Sequence, residues 1–222
     1  DMLVTNLKGG SIDMAMRLTS GQAAELTDGF HIEEGTMNLV QALYLNNDAK
    51  PLDNEKVRQA LCYAVNPDEI MDIMADGKGV RIGTSMYPGL KKYYDEEYAH
   101  YYEQDYEKAK ELLKEAGYPD GFDMIIYYGN GGDDEEICSL AQSYLAEVGI
   151  NAKLELIDST ITNELSGING ESFNGMIFSA GRAEVDLTTY YNRTFLPDGV
   201  RWVNQVTHEE DIVELINLAT TC

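Results

Sequence analysis

The sequence has few of the residues on which metal sites, disulfide frameworks and catalytic triads depend. It contains three cysteines and three histidines among 222 residues. Cys62, Cys138 and Cys222 are widely separated and form no Cys-x-x-Cys pair, so we predict neither a zinc site nor a disulfide between Cys62 and Cys138. The sequence has no His-Glu-x-x-His pattern and no Gly-x-Ser-x-Gly elbow. We therefore predict no metal, no cofactor and no catalytic residues.

Basic residues are also scarce, with 16 lysines and arginines against 39 aspartates and glutamates, which gives a net charge of −23. A field of this sign repels phosphate-rich partners, so nucleic acid is excluded as a partner. The acidic excess either keeps the surface soluble or attracts cationic ligands.

No apolar run approaches the 18 residues of a membrane span, and the first residues have neither the basic nor the apolar region of a signal peptide. Helix-like periodicity continues through residues 211–219, close to the end of the sequence. We therefore expect an excised piece of a longer protein, from which a leader would have been removed.

What the sequence does contain is typical of a globular chain, with 44% hydrophobic and 25% charged residues. Short apolar runs at 12–16 and 38–45 predict strands. Apolar residues at helical spacing predict helices over 53–65, with Asp53 as N-cap, and over 105–116, with Gly117 as a left-handed cap. Between them, Asn66-Pro67 begins another helix.

The second half alternates between predicted strands and helices. Strands are expected at 122–128, 150–157 and 176–179, with a helix over 135–148 and a weaker one before the last strand. This order is typical of βαβ crossovers and predicts an α/β fold with a mixed, largely parallel sheet flanked by helices. Because no linker or repeat interrupts the sequence, we predict a single domain over residues 1–222.

One glycine-rich motif requires separate consideration. Gly129-Asn130-Gly131-Gly132 precedes a predicted helix and superficially resembles a phosphate cradle. It lacks the Lys-Ser/Thr ending of that motif and is followed by four acidic residues, 133–136, which would repel phosphate. We interpret it as a turn before an acidic helix start.

Two blocks in the same order carry a family resemblance. Pro51-Leu52-Asp53-Asn54 followed by Val57-Arg58-Gln59-Ala60-Leu61 is similar to a "PLxDxxVRxAL" motif, and 105–118 with Gly121-Phe122 is similar to "YDxEKAKxLLxEAGYxDGF". Gly149-Ile150 and Gly10-Ser11-Ile12-Asp13 match shorter motifs of the same family. The chain resembles the extracellular solute-binding proteins of peptide and nickel ABC importers.

The resemblance implies a non-catalytic lobe of a two-lobed, periplasmic-binding-protein-like fold that closes on a short peptide or similar zwitterion. The implied partners are membrane permease subunits and an N-terminal lobe of the same protein that is missing here. The implied location is extracytoplasmic, either periplasmic or lipid-anchored on the outer face of the membrane. Two alternatives stay open, a nickel or metal-chelate carrier of the same family and a hydrolase on an α/β scaffold.

The resemblance also implies a ligand site after the last predicted strand. In the family an Asp there often holds a peptide's ammonium, and the candidates are Glu184 and Asp186, while Arg182 suits a carboxylate. The position agrees with the rule that ligands of open α/β sheets bind beyond the carboxyl ends of strands. Aromatic walls are expected from the following residues: Tyr87, Tyr93, Tyr94, Tyr190 and Trp202.

Overall fold

The structure is a computed structural model, and it describes residues 2–35, 39–131, 133–166, 175–182, 196 and 210–220. The chain divides into two compact units. The first comprises residues 1–37 and 68–79, and the second comprises 38–67 and 80–222. The assignment of residues 1–222 to one lobe stays a prediction.

In chain order the elements are α1 (Met2–Lys8), α2 (Ser20–Ala24), β1 (Leu39–Leu45), α3 (Glu55–Ala64), α4 (Pro67–Ala75), a 3-10 helix (Glu96–His100), α5 (Tyr106–Glu115), β2 (Asp123–Tyr128), α6 (Asp134–Ala146), β3 (Asn151–Leu156), α7 (Ser159–Ser166), β4 (Gly175–Arg182) and α8 (Glu210–Thr220). In the described part of the chain, no helix combines the length and the apolar character that crossing a membrane requires.

The first unit contains α1, α2 and most of α4. Thr19 caps α2 through a reciprocal pair of bonds, in which Gln22 N donates to Thr19 Oγ1 and Gln22 Oε1 accepts from Thr19 N. The strand predicted at 12–16 is wrong, because those residues form no strand. Met14 and Met16 are each 72% exposed, so no described part of the chain buries that face of the run.

Among its described residues, the second unit is built on a four-stranded sheet in the order β1-β4-β2-β3. β2 is parallel to both β3 and β4, whereas β1 is antiparallel to β4. The α6 and α7 helices make the crossovers from β2 to β3 and from β3 to β4. The mixed, largely parallel sheet flanked by helices is therefore confirmed.

The two faces of the sheet are buried by different helices. One face and the helices α3, α5 and α6 share the main core, whose fully buried members include Val57, Leu113, Ile126, Leu145 and Met176. The opposite face is centred on Ile177, which has no exposed surface and packs with Tyr44, Tyr127 and Leu165 of α7. Side-chain alternation along each strand thus places consecutive residues in separate apolar layers.

The predicted helices 53–65 and 105–116 correspond to α3 and α5. Asp105 caps α5 as expected, since its Oδ1 accepts from Lys108 N at 2.9 Å. The predicted cap Asp53 is wrong by one residue, because Asn54 Oδ1 accepts from Lys56 N at 2.9 Å instead. Asp and Asn are equally good N-caps, so the sequence does not separate these neighbours.

Two glycine turns of the same kind end α5 and α6. Gly117 has φ +93°, and Tyr118 N donates to Leu113 O at 2.8 Å. Gly149 has φ +86°, and Ile150 N donates to Leu145 O at 3.0 Å. Both are Schellman-type ends, in which a left-handed glycine lets the next amide satisfy a free carbonyl of the helix.

The turn before β2 packs backbone to backbone against the turn before β3. A Cβ on Gly121, which has φ +76°, would lie 1.9 Å from Gly149 O. Beside this contact Asn151 N donates to Phe122 O at 2.9 Å. Only glycine fits at position 121, because the close approach leaves no room for a Cβ and the positive φ disfavours other residues.

We predict that Gly121→Ala destabilises the protein by at least about 2 kcal/mol more than Gly117→Ala, as measured by urea denaturation. Both glycines have positive φ, so both substitutions add left-handed strain of roughly 1–2 kcal/mol. Only Gly121 also meets the neighbouring backbone, since a Cβ on Gly117 has no atom within 4 Å. Equal losses for the two variants would contradict the close approach.

We also predict that Cys138 in the native protein resists alkylation at pH 8. Its side chain has no exposed surface, and burial, together with the Asp134 carboxylate, raises the pKa of the thiol to about 12. The reactive thiolate is therefore scarce and inaccessible. Peptide mass spectrometry after an iodoacetamide pulse should find Cys138 labelled only in denaturant, with the exposed Cys62 labelled earlier.

Candidate functional site

The carboxyl ends of the three parallel strands meet at one edge of the sheet. β2 is followed there by Gly129-Asn130-Gly131, β3 by Ile157-Asp158, and β4 ends at Arg182. Because β1 is antiparallel, its first residue, Leu39, pairs with Arg182 at the same edge. This carboxyl edge is where open α/β sheets bind ligands.

β4 and β1 extend beyond the end of β2. The last β2–β4 pair is Tyr127–Ile177, and β4 continues for five more residues, whose strand partners among the described residues are all in β1. Along this extension the Tyr44 hydroxyl lies close to the β4 backbone, since a Cβ on Gly181 would be 2.8 Å from it. The extension is therefore a two-stranded antiparallel ribbon at the carboxyl edge.

The loop after β2 is shaped by the first carboxylate of α6. Asp134 Oδ2 lies so close to the loop that a Cβ on Gly131 would be 3.1 Å from it, and one on Gly129 3.4 Å. Burial and the neighbouring Asp133 carboxylate raise the pKa of Asp134. An anionic helix start of this kind repels phosphate, which agrees with the interpretation of the glycine motif as a turn.

After β3, the Asp158 carboxylate accepts hydrogen bonds from the backbone of the next helix. Its Oδ1 accepts from Thr160 N at 2.7 Å and from Ile161 N at 3.0 Å, so that it satisfies amides of the first turn of α7. These backbone hydrogen bonds lower the pKa of Asp158. Asp158 therefore acts as a helix cap, while Asn130 after β2 stays exposed.

Of the predicted site residues, the structure describes the backbone of Arg182 and places it at the carboxyl edge, at the end of β4. Glu184, Asp186, Tyr190 and Trp202 lie outside the described residues, so their roles stay predictions. Among the predicted aromatic walls, Tyr93 is 53% exposed and its ring centre lies 5.2 Å from Lys92 Nζ. Tyr87 and Tyr94 are partly buried.

The sequence reasoning missed a tyrosine cluster formed by Tyr63, Tyr98, Tyr101 and Tyr102. The ring centres of Tyr63 and Tyr102 lie 5.0 Å apart, those of Tyr101 and Tyr102 4.9 Å apart, and those of Tyr98 and Tyr101 6.4 Å apart. Tyr101 is 64% exposed and Tyr98 49% exposed. The only signal in the sequence was the density of tyrosines between positions 93 and 106.

The directions of α3 and α5 show at which edge of the sheet this tyrosine cluster lies. They run antiparallel, because Lys56 Nζ donates to Glu115 Oε2 at one end and Asp105 N donates to Tyr63 O, at 2.8 Å, at the other. The Glu115 end leads through Gly117 into the start of β2, which is the amino edge of the sheet. The tyrosine cluster therefore lies at the carboxyl-edge end of the helix layer.

A buried arginine holds the chain next to the cluster. The Arg81 side chain is only 8% exposed, and its Nη2 donates to Tyr102 O at 2.5 Å. Arg81 Nη1 also donates to Glu103 Oε2 at 3.4 Å. These bonds fasten the long loop that contains Arg81 to the segment that carries Tyr101 and Tyr102.

The chemistry of the described carboxyl edge favours binding over catalysis. Cys138, the buried thiol nearest in sequence to the loop after β2, stays protonated at neutral pH. The edge supplies amide, hydroxyl and backbone groups together with acidic side chains, which suit hydrogen bonding to a polar solute. It forms one open wall, whereas a small-molecule site usually buries most of its ligand.

Comparisons with known proteins agree with this geometry. Residues 1–202 match the profile of the bacterial extracellular solute-binding proteins, family 5, middle region. The glutathione-binding protein GsiB of Salmonella choleraesuis is 31% identical over 159 residues, which cover 69% of this chain and 30% of that protein. The chain therefore spans less than a third of this curated relative.

Two solved structures share the fold over the whole chain. The putative peptide-binding protein AppA from Clostridium difficile has a TM-score of 0.83 at 22% identity, and the match covers 46% of its length. NikZ from Campylobacter jejuni, solved with Ni(L-His), has a TM-score of 0.77 at 19% identity, and 47% of it is covered. At these identities the likeness concerns the fold alone.

The profile match extends over most of the sequence, and the sheet has the architecture of these neighbours. The chain therefore belongs to the bacterial extracellular solute-binding proteins of family 5, a family of binding proteins of ABC importers and not of enzymes.

Proposed function

We propose that this chain is one lobe of a two-lobed protein that captures a short peptide, or a similar zwitterionic solute, for an ABC importer. The observation that carries the proposal is the carboxyl edge, which presents three polar strand ends as a single wall. In this proposal the second wall comes from another lobe, which is consistent with a chain that spans 30% of its curated relative.

The proposed ligand class follows from charge and from the relative that binds glutathione. A zwitterion presents an ammonium and a carboxylate, and the predicted contacts supply an acid for the first, Glu184 or Asp186, and Arg182 for the second. Tyr190 and Trp202 are proposed as amphipathic walls. The closing of two lobes excludes water and strengthens these ion pairs.

The proposed partners are the membrane permease subunits of the importer and the N-terminal lobe of the same protein. The location that fits the family is extracytoplasmic, either periplasmic or lipid-anchored on the outer face of the membrane. A metal-chelate carrier is the alternative within the family, and the choice between the two is a matter of ligand and not of fold.

We expect the isolated 222-residue chain to bind the ligand of the complete protein at least tenfold more weakly. One wall leaves the ligand partly solvated and its charges partly screened. A tenfold loss is about 1.4 kcal/mol, less than the loss of two hydrogen bonds to charged groups would cause. Titration calorimetry on both proteins measures the ratio, and equal affinities would refute the two-walled site.

In the complete protein, we expect only one of Glu184→Gln and Asp186→Asn to weaken binding of a peptide with a free amino terminus. The affected residue is the one that contacts the ammonium, and the other substitution serves as its matched control. The acetylated peptide should bind the variants and the unsubstituted protein equally.

The same calorimetry separates peptide capture from metal transport. If neither substitution distinguishes the free from the acetylated peptide, the proposed ammonium site is wrong. If the protein binds Ni²⁺ with histidine but no peptide, the metal-chelate alternative replaces peptide capture.

A further inference from the structure

The tyrosine cluster exposes two aromatic rings on a tightly packed stretch of backbone. Tyr98 is 49% exposed and Tyr101 is 64% exposed. A Cβ on Gly83 would lie 1.7 Å from Tyr98 O, so the long loop and the 3-10 helix are in direct backbone contact there. The Tyr101 ring packs edge to face on Tyr102, whose carbonyl accepts from the buried Arg81. Both exposed rings are therefore presented in fixed positions.

A glutamine orders the chain that follows the cluster. Gln104 Nε2 donates to Ala64 O at 3.1 Å and to Tyr106 Oη at 3.0 Å. Its Oε1 accepts from Asn66 Nδ2 at 3.3 Å. These bonds join the end of α3 to the start of α5 and order the segment that carries the cluster. A rigid aromatic side chain loses little freedom when a partner covers it, so it suits an anchor in an interface.

The charges around the exposed rings are mostly negative. Residues 93–105 contain five acidic residues and one histidine, with no lysine or arginine. Glu96 and Glu97 immediately precede the first ring, and both are exposed. The histidine is paired already, since His100 Nδ1 lies 2.8 Å from Glu103 Oε1. Aromatic faces attract cations, and neighbouring carboxylates add to the attraction, so this surface suits a basic partner.

We propose that the tyrosine cluster is a docking surface for the permease of the importer, and that it binds arginine or lysine side chains on the extracytoplasmic face of that permease. The proposal rests on the proposed function, which supplies the permease as a partner. Tyr98 and Tyr101 accept the cationic side chains on their ring faces. Glu96 and Glu97 pair with the same charges and steer the encounter.

The position of the cluster favours the permease over other partners. The cluster lies at the carboxyl-edge end of the helix layer, on the same side as the proposed ligand wall. A protein that receives the solute is expected to contact this side. A second copy of the chain, which has the same net charge of −23, and an anionic lipid surface would both be repelled by the exposed acids.

Binding of the full-length protein to its cognate importer in lipid nanodiscs, measured by biolayer interferometry without added solute, tests the proposal. We expect Tyr101→Ala to weaken this binding at least about tenfold, because interface tyrosines are often binding hot spots. Tyr101→Phe keeps the ring face and should stay within about twofold of the unsubstituted protein. The Tm of each variant controls for folding. Equal affinities of Tyr101→Ala and the unsubstituted protein would overturn the proposal.

A charge reversal tests the basic character of the partner, and it does so even where Tyr101→Ala fails to fold. Glu97→Lys should weaken binding to the importer at least about fivefold at low salt and less at high salt, because salt screens the attraction. Glu147→Lys is the matched control, since Glu147 is an exposed acid at the end of α6, on the amino edge. If the two reversals have the same effect, the partner is not held by these acids and the proposal is wrong.

Two further measurements separate docking from other roles of the cluster. Tyr101 should be nitrated by tetranitromethane in the free full-length protein and protected in the complex with the importer. Protection in the free protein would show that the rest of the chain covers the cluster, which would overturn the proposal. A loss of affinity of Tyr101→Ala for a peptide with a free amino terminus, measured by calorimetry, would instead assign the cluster to the ligand site.

The same measurements distinguish failure of this proposal from failure of the proposed function. If the unsubstituted protein binds the peptide and the importer, and all variants bind the importer equally, only the docking surface is wrong. If it binds neither, the proposed function fails and the docking surface fails with it.

Discussion

The contact between Gly121 and Gly149 sets the geometry of the sheet. The two backbones approach too closely for any side chain at position 121, and Asn151 N bonds Phe122 O beside them. This fixes β2 and β3 at their starts, so that the six residue pairs from Asp123–Asn151 to Tyr128–Leu156 follow in register. The two strands consequently end level, and their loops emerge together at the carboxyl edge.

The close backbone packing lies at the amino edge of the sheet, opposite the candidate site at the carboxyl edge. The glycine turns that end α5 and α6 are both at the amino edge, where the close backbone packing occurs. Both helices therefore begin at the carboxyl edge, with Asp105 and Asp134 at their starts. Loops at that edge can vary without disturbing the packing at the other, which suits a fold that serves different ligands.

Local signals explain which elements could be predicted from the sequence. Asp105 and Gly117 bound α5 because a cap and a left-handed glycine act within one turn of helix. The strand expected at 12–16 failed because a strand depends on a partner that the sequence does not specify. The alternation of strands and helices, by contrast, was sufficient to predict a largely parallel sheet, since parallel strands require long crossovers.

The candidate site was less predictable, because it is assembled from distant segments. The tyrosine cluster joins Tyr63 of α3 to Tyr98, Tyr101 and Tyr102, a contact that exists only because α3 and α5 pack antiparallel. The spacing of the tyrosines along the sequence does not predict such a contact. The strand pattern predicted an end at residue 179, whereas β4 continues to Arg182. The roles of the residues after Arg182 depend on side-chain positions that no periodicity encodes.

The charge balance limits the kind of solute that the carboxyl edge can accept. The ion pairs Lys56–Glu115 and Lys108–Glu111 have exposed partners on both sides and compensate little of the acidic excess. At physiological salt the field extends only about 8 Å, so that the nearby acids matter more than the net charge of −23. At the carboxyl edge these are the acids that begin α6. These acids disfavour a phosphate, and they are consistent with the proposed zwitterionic ligand, whose ammonium they would attract.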